Sequence, residues 1–163
     1  MLALYHVTLC FTKIRLPATS PKLLDLLLAV VPGVARVAVL ANPSVPSHAS
    51  VMRNLQDAAR RAKVELLPVD VDTVAEIESG FAHMARERIN AVVVLGDPLV
   101  FFHRRQIADL ALKHGIASAY PARQHSEDGG LMSYGVNIAV CHVPPDLAHP
   151  RSETILATFS PEN

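Results

Sequence analysis

The sequence predicts an α/β domain with a doubly wound parallel sheet of about four to five strands, of the Rossmann or flavodoxin-like type. Four short apolar runs recur at nearly even spacing, and each ends in a polar or proline-containing turn: residues 37–40, 64–69, 91–95 and 116–120. Amphipathic stretches of helical length fill the gaps, which is typical of βαβ units. Half of the residues are hydrophobic, as expected where helices cover both faces of a sheet.

Helix signals lie between these runs. Polar residues that can cap a helix precede the amphipathic stretches, and a glycine suited to a left-handed cap ends the last of them. The expected caps are Ser20, Ser47, Thr73 with Glu76, and Gly115 at the end of a fourth helix that begins near Pro98. Residues 131–134 fit a fifth strand. From residue 140 onward the sequence contains several prolines and shows no hydrophobic periodicity, so we expect no regular structure beyond a short helix.

Length and composition limit the classes of protein to which this chain can belong. The 163 residues suit one domain, and fifteen basic residues balance fifteen acidic ones, which argues against nucleic acid or an anionic membrane as a partner. No apolar stretch is long enough for a membrane span, and the apolar start lacks the basic residues and cleavage site of a signal peptide. Taken as it stands, the chain is expected to be soluble and cytoplasmic.

The sequence predicts neither a cofactor nor a metal site, and no catalytic activity. It contains no GxGxxG after the first run, no P-loop, no GxSxG and no HExxH. Cysteine and histidine lack metal-ligand spacing. The residues concerned are Cys10 and Cys141, near opposite ends, and His48, His103, His114 and His125, which whole elements separate.

Several segments, taken together, are similar to one bacterial family. They are RVAVLANP at 36–43, MARER at 84–88, VLGDPL at 94–99, His103-Arg104 followed by Ile107-Ala108, and GGLMSYGVN at 129–137. In this order and spacing, they resemble the ABC transporter substrate-binding proteins of the TrpX-like family. The resemblance implies a type I periplasmic-binding-protein fold, in which two Rossmann-like lobes hold a small ligand between them. It further implies an ABC permease as partner and a periplasmic or lipid-anchored location for the family.

The resemblance covers only the second lobe and the start of the crossover that returns to the first. It therefore divides the chain into an unmatched leader at 1–18, a solute-binding lobe at 19–139 and an irregular tail at 140–163. The tail departs from the family after residue 139, which suggests a frameshift or a gene fragment with an internal start. Genomic DNA tests this hypothesis, because an alternate frame that encodes an amphipathic helix would support it and a random frame would refute it.

Candidate ligand-binding residues follow the predicted strands, because ligands of open α/β sheets bind outside the carboxyl ends of the strands. Asn42, Pro43 and Ser44 precede the second helix, whose N–H groups can receive an anion, although Asn-Pro is also a common turn. Asp97 follows the third strand and can accept a hydrogen bond from a ligand amine or hydroxyl. It can equally serve only as the cap of the helix at Pro98.

A second group of candidates lies near the hinge of the two-lobed fold that the resemblance implies. Tyr120 and Arg123 follow the fourth strand, and Ser133, Tyr134 and Asn137 flank a bend at Gly135. An aromatic face and an amide here suit a planar or amino-acid-like ligand. The alternative is a buried tyrosine and a hinge glycine with no part in binding.

The function expected from these observations is non-catalytic binding of a small molecule, such as an amino acid, by one lobe of an ABC importer's binding protein. The alternative is a free-standing flavodoxin-like regulatory or enzymatic domain with its site at Asn42 and Asp97. A homo-oligomer formed through the exposed lobe interface is a third hypothesis, in which the apolar residues 2–16 provide a strand for edge pairing.

Overall fold

The computed structural model describes residues 7–10, 19–135 and 154–157. This part of the chain contains seven strands and six helices. In chain order they are β1 (Val7–Cys10), α1 (Thr19–Val30), β2 (Arg36–Ala41), α2 (Pro46–Ala62), β3 (Glu65–Asp70), α3 (Val74–Arg86), β4 (Ala91–Val94), α4 (Pro98–Phe102), α5 (Arg104–Lys113), β5 (Ala117–Tyr120), α6 (Arg123–Glu127), β6 (Met132–Ser133) and β7 (Thr154–Ala157).

The strands form one sheet in the order β1-β7-β6-β5-β4-β2-β3. Five neighbours, from β6 to β3, pair in parallel, and β7 pairs antiparallel with both β6 and β1. All five parallel strands were predicted, and each end lies within one residue of its expected place. The prediction of a doubly wound α/β fold is confirmed.

Helices cover both faces of the sheet and form two cores. Val37 and Val39 of β2 pack in the core that contains residues of α1 and α2, whereas Ala38 and Leu40 pack in the core of α3 and α5. Alternate residues of one strand therefore serve opposite cores, as the period of two requires. The strand order reverses between β2 and β4, so the helices that follow these strands lie on opposite faces.

The capping box at the start of α3 is confirmed. The Thr73 hydroxyl accepts the Glu76 backbone N–H at 3.4 Å, and the Glu76 carboxylate accepts the backbone N–H groups of Asp72 at 2.8 Å and Thr73 at 3.1 Å. These bonds, led by that from Asp72, lower the pKa of Glu76. Hydrogen bonding to Glu76 raises the pKa of Asp72. The connection between β3 and α3, residues 71–73, is thus fixed by local hydrogen bonds.

Other helix boundaries differ from the predictions. Ser20 lies inside α1, which begins at Thr19, and Ser47 does not cap α2, whose N-cap is Val45. Pro46 explains the second difference, because its fixed φ suits the first helical position and starts the helix one residue before Ser47. The expected fourth helix is two helices that meet at His103. Gly115 does adopt the predicted left-handed conformation, with φ 65°.

The ends of the chain contribute two further strands: one within the apolar residues 2–16, where the oligomer hypothesis placed a strand, and one that the sequence pattern did not reveal. Thr154–Ala157, in a tail expected to be irregular, forms β7, and Val7–Cys10 forms β1 beside it. The run Thr-Ile-Leu-Ala has the β-branched and apolar residues that favour strands, but it is too short to show a period. At the opposite edge, β3 exposes Glu65, Pro68 and Asp70.

Within the described ranges, no helix has both the length and the apolar character needed to cross a lipid bilayer.

Candidate functional site

The site is the crevice at the carboxyl ends of β2 and β4. These strands are neighbours in the sheet, yet the chain leaves them toward opposite faces, into α2 and α4. Such a reversal opens a crevice where ligands of doubly wound sheets bind. Two loops border it: residues 42–45 after β2, and residues 95–97 after β4. We call them the first and second edge loops.

The first edge loop is a turn that uses its own donors. The Asn42 side-chain oxygen accepts the Ser44 backbone N–H at 2.9 Å, and the Asn42 carbonyl accepts the Val45 N–H at 3.1 Å. Pro43 and Pro46 have no N–H to offer. This bonding supports the turn-chemistry alternative for Asn42, Pro43 and Ser44, and it leaves anion binding by this turn a prediction.

His48, for which the sequence predicts no role, connects the two edge loops. It is the third residue of α2, and only 6% of its surface is exposed. Its Nδ1 accepts the Asn42 backbone N–H at 3.0 Å, while its Nε2 lies 3.3 Å from the Gly96 carbonyl oxygen. Because Nδ1 must offer a lone pair to Asn42, the proton is on Nε2 and is donated to Gly96. No sequence pattern signals this bridge, since it joins positions 48 residues apart.

Asp97 in the second edge loop caps α4, as one of its two predicted roles required. Its Oδ1 accepts the Val100 backbone N–H at 2.7 Å. Its Oδ2 is also buried, but has no hydrogen-bond partner within the described part of the chain. A buried carboxylate oxygen without a donor is costly, so this atom is suited to receive a ligand N–H or O–H group.

Tyr120 and Tyr134, both buried, mark the carboxyl ends of β5 and β6. The Tyr134 backbone N–H donates to the Tyr120 carbonyl at 2.9 Å, which continues the pairing of the two strands. Burial raises the pKa of the Tyr120 phenol well above its usual range, and the Ser118 hydroxyl partly opposes this shift. The Tyr120 ring stacks on His125 with centroids 4.9 Å apart, so its faces serve the core.

His125 is the second buried histidine for which the sequence predicts no role. Its Nδ1 lies 3.3 Å from the Ala122 carbonyl oxygen, and its Nε2 is buried with no partner among the described residues. Burial lowers the pKa of His125 to about 4. The charge of Arg104 lowers it further, while the Ala122 bond and Asp128 act in the opposite direction. The imidazole is therefore neutral near neutral pH.

The remaining candidates divide into three cases. Arg123 forms an ion pair with Glu127 one turn along α6, with Nε and Oε1 2.7 Å apart. Ser133 is fully buried, and its hydroxyl lacks a partner in the part of the chain that the structure describes. Asn137 lies outside the described residues. The structure thus brings Asn42 and Asp97 to one crevice and leaves ligand contact by Arg123, Ser133 and Asn137 a prediction.

Close backbone contacts hold the loops after β4, β5 and β6 together. A Cβ atom added to Gly96 would lie 3.0 Å from Pro121, and one added to Gly135 would collide with the Pro121 carbonyl oxygen. Gly135 is therefore needed for the approach of its loop to the Pro121 backbone, whereas a side chain at Gly96 would press against the Pro121 ring. The edge of the sheet is one connected surface from β2 to β6.

The crevice offers hydrogen-bond acceptors and no metal ligand set. In residues 20–135, no group of three histidine, cysteine, aspartate or glutamate side chains could hold a metal ion. Asp97 provides a carboxylate, and the half-buried Asn42 provides a neighbouring side-chain amide. This arrangement suits a small ligand with a cationic or hydroxyl donor.

The family follows from a sequence comparison. Residues 19–140 match the model of the family described as ABC transporter substrate binding protein. The chain belongs to this family. Its members bind small molecules and work with ABC transporters, and they are typically periplasmic or extracellular. No curated protein matches the chain.

Three solved structures share the fold of this family member. An L-Trp complex of an ABC domain from Streptococcus pneumonia is 18% identical, with a TM-score of 0.67 over 73% of this chain and 41% of its own. A conserved domain protein from Vibrio cholerae is 20% identical, with a TM-score of 0.66 over 72% and 40%. The ligand-free, open substrate-binding protein CD0873 from Clostridium difficile is 22% identical, with a TM-score of 0.64 over 71% and 39%.

The match therefore spans about 40% of the length of each of these structures. At these identities the likeness shows the fold and not the ligand.

Proposed function

We propose that residues 19–139 are the second lobe of a TrpX-like substrate-binding protein and bind an amino-acid-like molecule without catalysis. In this proposal, polypeptide outside the 163 residues supplies the first lobe, and an ABC permease receives the ligand. The family match and the crevice between β2 and β4 support it. The compartment in which this chain acts stays a prediction.

One observation carries the ligand class: the unpartnered Oδ2 of Asp97. A ligand ammonium group would give this buried oxygen both a hydrogen bond and a compensating charge, and charge-assisted bonds are about twice as strong as neutral ones. Because the oxygen is covered in the ligand-free chain, the ligand must displace neighbouring atoms to reach it. Closure of a second lobe over the crevice would provide the energy for that displacement.

The first test compares Asp97→Asn with the unaltered chain. Asparagine caps helices as well as aspartate does, so this change keeps the bond to Val100 and removes the charge. We expect the thermal midpoint to change little and L-Trp to bind at least about tenfold more weakly, as loss of a charged hydrogen bond would require. Binding is measured through L-Trp emission, since the chain contains no tryptophan.

The control is Asp128→Asn, which removes a carboxylate that is ion-paired with Arg104 away from the edge loops. Equal weakening by both variants would mean that net charge, and not the position of Asp97, governs binding. Unchanged affinity in Asp97→Asn would contradict the proposed contact. A response to a phosphoryl donor or a nucleotide instead of amino acids would favour the regulatory or enzymatic alternative.

A homo-oligomer through the exposed lobe interface remains part of the proposal for partners. Size-exclusion chromatography with light scattering distinguishes it from a monomer. A mass of one chain at high micromolar concentration would contradict it.

A further inference from the structure

The geometry assigns to His48 a role as the positioning residue that sets the separation of the two edge loops. This inference rests on the proposed function, because the loops matter as the borders of the ligand crevice. His48 contacts the backbone on both sides: the Asn42 N–H at 3.0 Å and the Gly96 carbonyl at 3.3 Å. Each contact lies directly beside a candidate ligand contact, the Asn42 side chain in one loop and Asp97 in the other.

The sequence explains how this side chain reaches backward. Pro46 starts α2, so His48 is its third residue, and its own N–H bonds to the Val45 carbonyl at 3.0 Å. Side chains of a helix point toward its N-terminus, and the third residue is the one that reaches back to the entering chain in a capping box. Here Val45 offers no side-chain cap, and the imidazole bonds instead to the turn that precedes it.

The bridge works with one protonation state and one tautomer. Asn42 presents a donor and Gly96 an acceptor, so the linking group must present an acceptor and a donor in that order. Neutral imidazole with its proton on Nε2 meets this requirement, and so does a side-chain amide. An aliphatic side chain meets neither need and leaves a half-buried N–H and a carbonyl without partners, which shifts both loops.

The experiment uses the full chain with three changes: His48→Gln, His48→Leu and the control His83→Leu. Glutamine keeps one acceptor and one donor, whereas leucine removes both. His83 lies exposed on α3, away from the crevice, and tests for the general effect of replacing a histidine. Two measurements need no ligand: the nitrogen chemical shifts of the His48 ring, and the hydrogen exchange rate of the Asn42 amide.

We expect ring nitrogen shifts that report a proton on Nε2 and a bare Nδ1. The Asn42 amide should exchange about tenfold faster or more in His48→Leu, because its acceptor is lost, and should stay protected in His48→Gln and His83→Leu. Backbone amide shifts of Gly96 and Asp97 should move with those of Asn42 in the leucine variant. A purely structural role would not produce rescue by glutamine in both loops together.

Either a proton on Nδ1 or unchanged Asn42 exchange in His48→Leu would overturn the inference. Titration with L-Trp then tests the proposed function separately, since glutamine should retain the wild-type affinity and leucine should weaken it about tenfold or more. If the unaltered chain shows no response to L-Trp even at millimolar concentration, where a single lobe should still bind weakly, the proposed amino-acid ligand is wrong. The ring and amide measurements still decide the role of His48.

Discussion

At the scale of single residues, the described part of the chain contains two buried histidines, each with one defined proton. His48 bonds at both nitrogens, while His125 bonds at Nδ1 and leaves Nε2 without a partner among the described residues. Burial lowers the pKa of His125 to about 4, and a histidine whose pKa differs between the folded and the unfolded chain links folding to pH.

We predict that stability falls between about pH 6.5 and pH 4 because of His125. Above this window the imidazole is neutral in both states. Within it the unfolded chain takes up a proton that the folded chain refuses, so the free energy of unfolding decreases as pH falls, and the loss is complete below the folded pKa of about 4. The full loss is about 3 kcal/mol.

Urea unfolding at a series of pH values measures this loss. The variant His125→Phe keeps an aromatic ring against Tyr120 and cannot titrate, so its stability should fall less over the same window. His83→Phe, at an exposed position, should keep the wild-type slope. A His125→Phe profile that runs parallel to wild type would show that other groups cause the pH dependence.

Helix α3 shows at the scale of elements how completely a local motif can fix a boundary. Its capping box satisfies Asp72, Thr73 and Glu76 backbone donors at the end of β3, next to the crevice-bearing edge. Helices α2 and α4 begin differently, the first at a proline without a side-chain cap and the second with Asp97 as its cap. Of these three helix starts, only that of α3 is independent of the candidate site.

Thr73→Ala should destabilise the chain by about 1 kcal/mol, the usual cost of losing a threonine cap. The measurement is the midpoint of urea unfolding at neutral pH. Ser79→Ala is the matched control on the same helix, where the hydroxyl bonds only to a carbonyl one turn back, and its stability should stay close to wild type. Ligand binding should be unaffected by either change. Equal losses in both variants would contradict the assigned capping energy.

At the scale of the whole molecule, the fold requires loops that approach one another so closely that a glycine is needed at the contact. At Gly135 an added Cβ would meet the Pro121 carbonyl oxygen, whereas at Gly115 it would meet nothing within 4 Å and only the positive φ of 65° resists substitution. Substitutions at these two glycines therefore distinguish the cost of lack of space from the cost of an unfavourable backbone conformation. Gly115 precedes β5, whereas Gly135 follows β6 and contacts the loop after β5.

We predict that Gly135→Ala costs more than about 3 kcal/mol, because backbone has to move. Gly115→Ala should cost about 1 kcal/mol, the penalty for a side chain in the left-handed region. Thermal and urea unfolding of the two variants measure the difference. If Gly135→Ala is insoluble, hydrogen exchange in the milder Gly96→Ala, whose Cβ would lie 3.0 Å from Pro121, tests the same junction. Similar losses at Gly115 and Gly135 would contradict the assigned crowding.

We also predict that the isolated chain binds amino acids more weakly than about 1 µM, because one lobe supplies only one face of the ligand's surroundings. Equilibrium dialysis with radiolabelled amino acids measures this directly. Submicromolar binding by a monomer would contradict the one-lobe proposal.

The sequence predicted the parallel strands well because each is an apolar run bounded by a turn, and it predicted the α3 capping box because both partners lie four residues apart or closer. It failed at β7, where four residues carry too little pattern. It also missed His48 and His125, whose surroundings come from distant segments. Position in space, and not residue type, makes them special.

The outer strand β3 has a consequence for how this chain behaves in a crowded solution. Its exposed edge includes Pro68, which cannot donate a hydrogen bond, between the charged residues Glu65 and Asp70. An incoming extended peptide would meet an interrupted row of backbone hydrogen bonds and would have to bury charged side chains. Both features discourage aggregation through sheet edges. Replacing Pro68 with valine would restore the missing backbone N–H donor and would make the edge of β3 a template for fibrillar growth.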